Sequence, residues 1–140
     1  ITTMSRDSAI RTARTAATGA QNAGRMDSYA AAEKMGINVR KRWVATKDGR
    51  TRHAHGMVDG QTVEWDKPFN VDGYDMMYPG DMGAPGYLVY NCRCTMRTVE
   101  KAGIEAEPRI MRVKNANGEY EVVSEMTFAE WKEWVKSRGN

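Results

Sequence analysis

Through the first quarter of the chain, apolar and small residues recur at steps of three and four. They then alternate, lose any period over a long stretch, and regain it near the end. Between residues 6 and 35, Ile10, Ala13, Ala17, Ala20 and Ala23 fall along one stripe, which predicts a helix with a tightly packing small-residue face. Ser5 is placed to cap its first turn. Gly36 stands where a left-handed residue ends a helix, and Lys34 lies near the negative end of the dipole. Gly19 and Gly24 each cost about 1 kcal/mol relative to Ala in a helix interior. They predict either a break near Gly24, with Asp27 or Ser28 capping a second helix, or the close approach of another backbone.

Residues 40–46 alternate, Trp43 and Ala45 facing one way and Arg42 and Val44 the other, and run into Lys47-Asp48-Gly49, so they read as a strand entering a turn. Residues 61–65 and 87–90 are further short strand candidates. The stretch between them holds Pro68, Gly73, Pro79, Gly80, Gly83, Pro85 and Gly86 and reads as irregular. A connection of that length inside a compact domain is usually functional or pinned by something. Residues 95–99 predict another strand and 101–107 a polar connection. Residues 111–113 and 120–123 flank Asn117-Gly118, the dipeptide best suited to a type I′ hairpin turn. In the last stretch Thr127 and Glu130 form a capping box and Met126 can staple against Trp131. Trp131, Trp134 and Val135 give an apolar face, and Gly139 marks the end. The expected class is α+β. An Ala-rich helical segment (1–37) precedes a small irregular sheet core with long loops (38–100), and a hairpin and helix follow (101–140).

A length of 140 residues suits one compact core. No apolar run approaches the roughly 18 residues of a membrane span, and no secretory pattern opens the chain. The first residue is Ile1 rather than Met, which predicts a piece of a longer polypeptide. The net charge of +3 does not by itself indicate nucleic acid, but its distribution is uneven. Arg40, Lys41, Arg42, Lys47, Arg50 and Arg52 are opposed in their stretch only by Asp48. Either these side chains form a solvated face, or Arg40, Lys41, Arg42, Arg50 and Arg52 give a salt-sensitive, sequence-independent affinity for DNA phosphates. Arg50 and Arg52 also sit close enough to Asp48 for a guanidinium to hold the turn together.

The two histidines and two cysteines occur as close pairs, His53 with His55 and Cys92 with Cys94. Imidazole and thiolate are the ligands zinc prefers, and two loops that each supply part of a tetrahedral set can pin a long connection. Cys92-Arg93-Cys94 is tighter than the usual Cys-x(2–4)-Cys spacing. Two readings therefore compete. In one, His55, Cys92 and Cys94 bind zinc with Asp59 or His53 as the fourth ligand. In the other, the thiols are small core residues and His55 is a hydrogen-bonded turn residue. A disulfide is less attractive without a secretory signal. A nucleophilic cysteine beside His55, with Arg93 favouring the thiolate, meets the chemical minimum, but the spacing identifies no orienting acid. H-E-x-x-H and the phosphate-cradling G-x-x-x-x-G-K-[ST] are both absent.

The run Asp48-Gly49-Arg50-Thr51-Arg52, then His55, Asp59-Gly60, Phe69, Tyr78-Pro79-Gly80-Asp81 and Asn91-Cys92-Arg93-Cys94, resembles the signature of Mu F-like phage head-morphogenesis proteins. Ala13-Arg14-Thr15, Asn22-Ala23-Gly24-Arg25 and Trp43 match the family's preceding helix and strand, so the resemblance covers about residues 10–98. The tail resembles an extension found in some minor capsid members. The family's motif carries Cys or His at the place of His55, an interchange a metal ligand permits, and has no counterpart of His53. The resemblance implies a non-enzymatic virion part, made in the host cytoplasm and working at or near the portal vertex with portal or capsid proteins. DNA packaging or delivery is a further implied role, and no membrane is involved. Some relatives are fused to ADP-ribosyltransferase domains, for which the hairpin-helix tail is too short. The alternative is a zinc- or cysteine-dependent enzyme acting on nucleic acid or peptide.

Overall fold

The computed structural model describes residues 5–100, 109–115 and 117–138. Its first element, α1 (Arg6–Lys34), runs unbroken through both interior glycines, with the Ser5 side chain accepting from the Ser8 N–H as its cap. Gly36 ends it at φ +81°. No second cap is used, and the reason differs at the two glycines. Gly24 has open space around it, whereas a Cβ on Gly19 would lie 3.1 Å from the Gly80 carbonyl oxygen. Gly19 is the close backbone approach. The buried face is not the alanine stripe, however. Ala13, Ala17 and Ala20 are exposed, while Thr15, Asn22 and Tyr29, spaced by seven, face inward. Asn22 takes that face because it donates to two loop carbonyls, and Thr15 because it accepts from the Asn91 N–H, groups that otherwise would be left without partners.

Strand β1 (Val39–Val44) sits between β2 (Thr62–Glu64) and β5 (Thr95–Glu100) in an antiparallel sheet, with Trp43 opposite Met96 and Arg40 opposite Glu64. One face of the sheet lies on the core, which produces the strict alternation along β1: Val39, Lys41 and Trp43 inward, Arg40, Arg42 and Val44 outward. Helix α2 (His53–Val58) follows the Asp48 turn and ends at Asp59 and Gly60, the latter at φ +82°. The stretch read as irregular contains a hairpin, β3 (Phe69–Val71) with β4 (Tyr74–Met76). Asp72 at φ 52° and Gly73 at φ 82° have the two positive values of a type I′ turn. The Asp-Gly signal was present, but strands of three residues are too short to show a period. Residues 87–90 are not a strand. They belong mostly to a single helical turn, α3 (Gly86–Val89), entered from Pro85, because Leu88 and Val89 are both buried while Tyr87 and Tyr90, three apart, are exposed.

The C-terminal part pairs β6 (Ile110–Lys114) with β7 (Tyr120–Ser124) and adds α4 (Phe128–Arg138). Lys114 opposes Tyr120, so the connection is a five-residue loop rather than a two-residue turn at Asn117-Gly118. The Asn115 side chain shapes it by accepting from the Asn117 and Glu119 N–H groups at 3.0 and 2.9 Å. The capping box is formed as expected: Thr127 N–H donates to Glu130 at 2.6 Å, and Glu130 N–H to the Thr127 hydroxyl at 3.3 Å. Val113, Phe128 and Trp131 make an apolar cluster separate from the main core around Trp43, Phe69, Met76 and Leu88. The predicted connection 101–107 and the predicted helix end at Gly139 lie outside the described residues. No helix among the described residues is long and apolar enough to cross a membrane.

Candidate metal centre and its cleft

Helix α2 turns His55 inward against the edge of the Trp43 ring, with 5.8 Å between centroids. The Nε2 of His55 lies 3.0 Å from the Leu88 carbonyl of α3. A carbonyl can only accept, so Nε2 carries the proton and Nδ1 presents its lone pair. That lone pair faces two sulfurs, Cys94 Sγ at 3.4 Å and Cys92 Sγ at 3.9 Å. The three ligand atoms lie within 4.8 Å of one another, and all three residues are buried. A metal-bound histidine typically donates its other N–H to a carbonyl or carboxylate, so the Leu88 contact is the outer partner such a ligand needs.

The two thiols share the site unequally. Cys92 is held down to about 5, first by the hydrogen bond from the Cys94 thiol, against the opposing effect of burial. The same Cys92 sulfur pushes Cys94 well up, with burial adding to it, while the Trp43 indole and the Thr46 backbone N–H pull the other way. The Trp43 Nε1 has no conventional acceptor although it is buried. The thiolate is the form of cysteine that binds metal, and Cys92 is the sulfur held towards it. The His55, Cys92 and Cys94 group can therefore hold a metal ion.

The loop bearing both cysteines is fixed carbonyl by carbonyl. Thr18 donates to the Cys92 carbonyl at 2.7 Å, Thr46 to that of Arg93 at 2.8 Å, and Arg25 to that of Met96 at 2.5 Å. Asn22 donates to the carbonyls of both Pro79, at 2.9 Å, and Cys94, at 3.2 Å. The Asn91 N–H, leaving a residue at φ 55°, reaches the Thr15 hydroxyl at 3.0 Å. Thr15, Thr18, Asn22 and Arg25 were not read as site residues from composition or periodicity. Their spacing of three and four was the available signal, hidden by the more conspicuous alanines.

Asp59 does not join the metal group. One carboxylate oxygen accepts from the Ala45 N–H at 2.6 Å and from Lys47 at 3.0 Å, and the other from the Phe128 N–H at 2.8 Å. His53 is exposed and borders a different hollow. Neither expected fourth ligand is brought in. The expected basic surface also separates. Lys41 is fully buried, donates to the Met77 carbonyl at 2.6 Å and stacks over Phe69, so it cannot contact DNA; the inward phase of β1 decides this. Arg40 and Arg42 lie half-buried on the outer sheet face. Arg50 is largely exposed and 3.9 Å from Asp48, whose two oxygens are instead taken by Arg93. That hydrogen bond holds the Asp48 carboxyl down to about 2. Arg52 donates to the Tyr90 carbonyl.

Above the cysteines and His55 opens a cleft of about 590 Å³ whose wall includes Arg14, Arg50, Arg52 and Arg93. The geometry gives the cysteine-nucleophile reading little support. Both thiols are almost fully buried, the Arg93 guanidinium is engaged by Asp48, and His55 is oriented by a carbonyl rather than an acid.

Among known proteins, the family described as Phage Mu protein F like protein matches residues 1–97. The chain is 36% identical over 131 residues to an NAD(+)–arginine ADP-ribosyltransferase EFV of Enterococcus faecalis; the match covers 93% of this chain and 25% of that protein. It is 33% identical over 131 residues to the minor head protein GP7 of Bacillus phage SPP1, covering 90% of this chain and 40% of that protein. This chain thus spans less than half of either relative. No solved structure matches it.

Proposed function

The chain belongs to the Phage Mu protein F like family, and from that premise we propose that it is part of a minor head protein of a tailed phage, acting structurally in head morphogenesis. The observation that carries this reading is the 33% identity to a minor head protein across 90% of the chain. The transferase shares a stretch of the same length, 131 residues, which makes up only a quarter of it. A piece present in both a head protein and a transferase favours a folded module common to the two over the chemistry of either.

In this proposal zinc is bound by His55, Cys92 and Cys94, and it pins the cysteine loop to α2 in place of a larger core. The protein works in the virion, at or near the portal vertex and against portal or capsid subunits, after assembly in the host cytoplasm. Any affinity for DNA is weak and electrostatic, through Arg40, Arg42, Arg50 and Arg52 without Lys41, and fades steeply between low and physiological salt.

The test has two arms. Heads purified from the phage that encodes this protein should contain it, and heads from a His55→Ala, Cys92→Ser phage should lack it or fail to mature. Nuclease, protease and NAD-hydrolysis assays with zinc or magnesium supplied should show no turnover above the same double variant. Clear turnover, or normal heads without the protein, would overturn the structural reading.

A further inference from the structure

A structural zinc ion takes four ligands, and this chain brings three together. His55, Cys92 and Cys94 all border the same cleft, so the side of the group left open faces it. Asp59 is spent on three other donors and His53 lies elsewhere. The wall of the cleft is cationic. It includes four arginines, and among the described residues no Asp or Glu lines it. The Arg14 guanidinium has no hydrogen bond or ion pair among the described residues, and that of Arg50 has only its distant contact with Asp48. Two thiolates cancel the charge of a divalent ion and a neutral imidazole adds none, so the arginines, less the one charge that Asp48 cancels on Arg93, set the potential at the open side. A positive wall above an incomplete ligand set recruits an anion with an oxygen donor.

Resting on the zinc reading, we infer that the cleft is a socket for a carboxylate from a partner protein, which completes the metal's ligand set while the wall arginines hold its charge. Nucleic acid fits less well. Duplex affinity needs a row of neutralised phosphates, and the three cations of the β1 stretch, Arg40, Lys41 and Arg42, do not line the cleft. Lys41 is sealed in the core, and Arg40 and Arg42 lie on the outer sheet face, Arg40 facing Glu64 at 3.6 Å. The ligand atoms are buried at the bottom of a cleft of about 590 Å³, which admits a side chain but not a duplex. An assembly protein whose metal is completed only on docking would couple the site's stability to partner binding.

Cobalt(II) substitution tests this, because the visible bands of cobalt report its ligand set. The cobalt-loaded chain is titrated separately with acetate, inorganic phosphate and a short oligonucleotide. A saturable spectral change with acetate is expected. Arg14→Ala should weaken acetate binding roughly tenfold, the loss of one charged hydrogen bond, with the cobalt content unchanged. Bound cobalt whose spectrum ignores acetate overturns the socket and leaves the metal reading standing. A response to phosphate or oligonucleotide alone overturns the carboxylate in favour of nucleic acid. Failure to bind cobalt or zinc at all overturns the metal reading itself, and the socket with it.

Discussion

Lys41 shows how one position on a strand decides the fate of a charge. Its neighbours Arg40 and Arg42 point outward, but the two-residue period of β1 drives Lys41 between Met26, Met77 and Phe69. Burial lowers its ammonium from 10.5 to about 8, against the opposing pull of Asp66 and Asp81. The unfolded chain keeps this proton up to about 10.4. Between about pH 8 and 10.4 the unfolded state therefore binds more protons, and the stability contributed by Lys41 rises with pH through that window. Urea denaturation of the protein and of Lys41→Met should show their stability difference moving in favour of Lys41 from pH 8 to pH 10. A flat difference would mean that the buried amine keeps an ordinary proton affinity. His55 illustrates the same dependence on surroundings, since a single carbonyl, that of Leu88, fixes which ring nitrogen is available to metal.

At the scale of elements, α1 works as a buckle rather than as a greasy strut. Its residues Thr15, Thr18, Asn22 and Arg25 bond to the backbone of the cysteine loop from Asn91 to Met96. Asn22 is 2% exposed and serves two carbonyls, so Asn22→Ala leaves both without a donor and opens a cavity. The expected loss is about 2–4 kcal/mol, read by chemical denaturation, with weaker metal retention because the cysteine loop loses its tether. Ala17→Ser, on the exposed face, should change stability by less than about 0.5 kcal/mol. If the two variants behave alike, the buckle is not what holds the loop. The link to the C-terminal part depends on another close approach: a Cβ on Gly56 would lie 2.5 Å from the Phe128 ring, so only glycine lets α4 rest against α2.

For the whole molecule, two apolar clusters of modest size have to hold a chain in which much of the backbone is short strand, turn and loop. A metal tying α2 to the cysteine loop would contribute where the core is thin. Purified protein should carry about one zinc per chain. With free zinc a hundredfold above its Kd, the bound state gains about 2.7 kcal/mol, so chelation should lower the melting temperature by roughly 10 °C. Cys94→Ser should lose the metal and most of that increment; a zinc-free protein with unchanged melting ends the idea. Much of this architecture was legible in the sequence wherever the cause is local. The caps at Ser5 and Thr127, the alternation of β1 and the pairing of histidine and cysteine types need only neighbouring residues to be read. Tertiary structure alone decided which face of α1 is buried, that residues 86–89 curl into a helical turn, that Lys41 is interior, and that Asp59 and His53 stay apart from His55, Cys92 and Cys94. Each of these depends on partners far along the chain, because a buried polar group goes wherever a carbonyl, carboxylate or sulfur is waiting, and periodicity carries no record of where those partners lie.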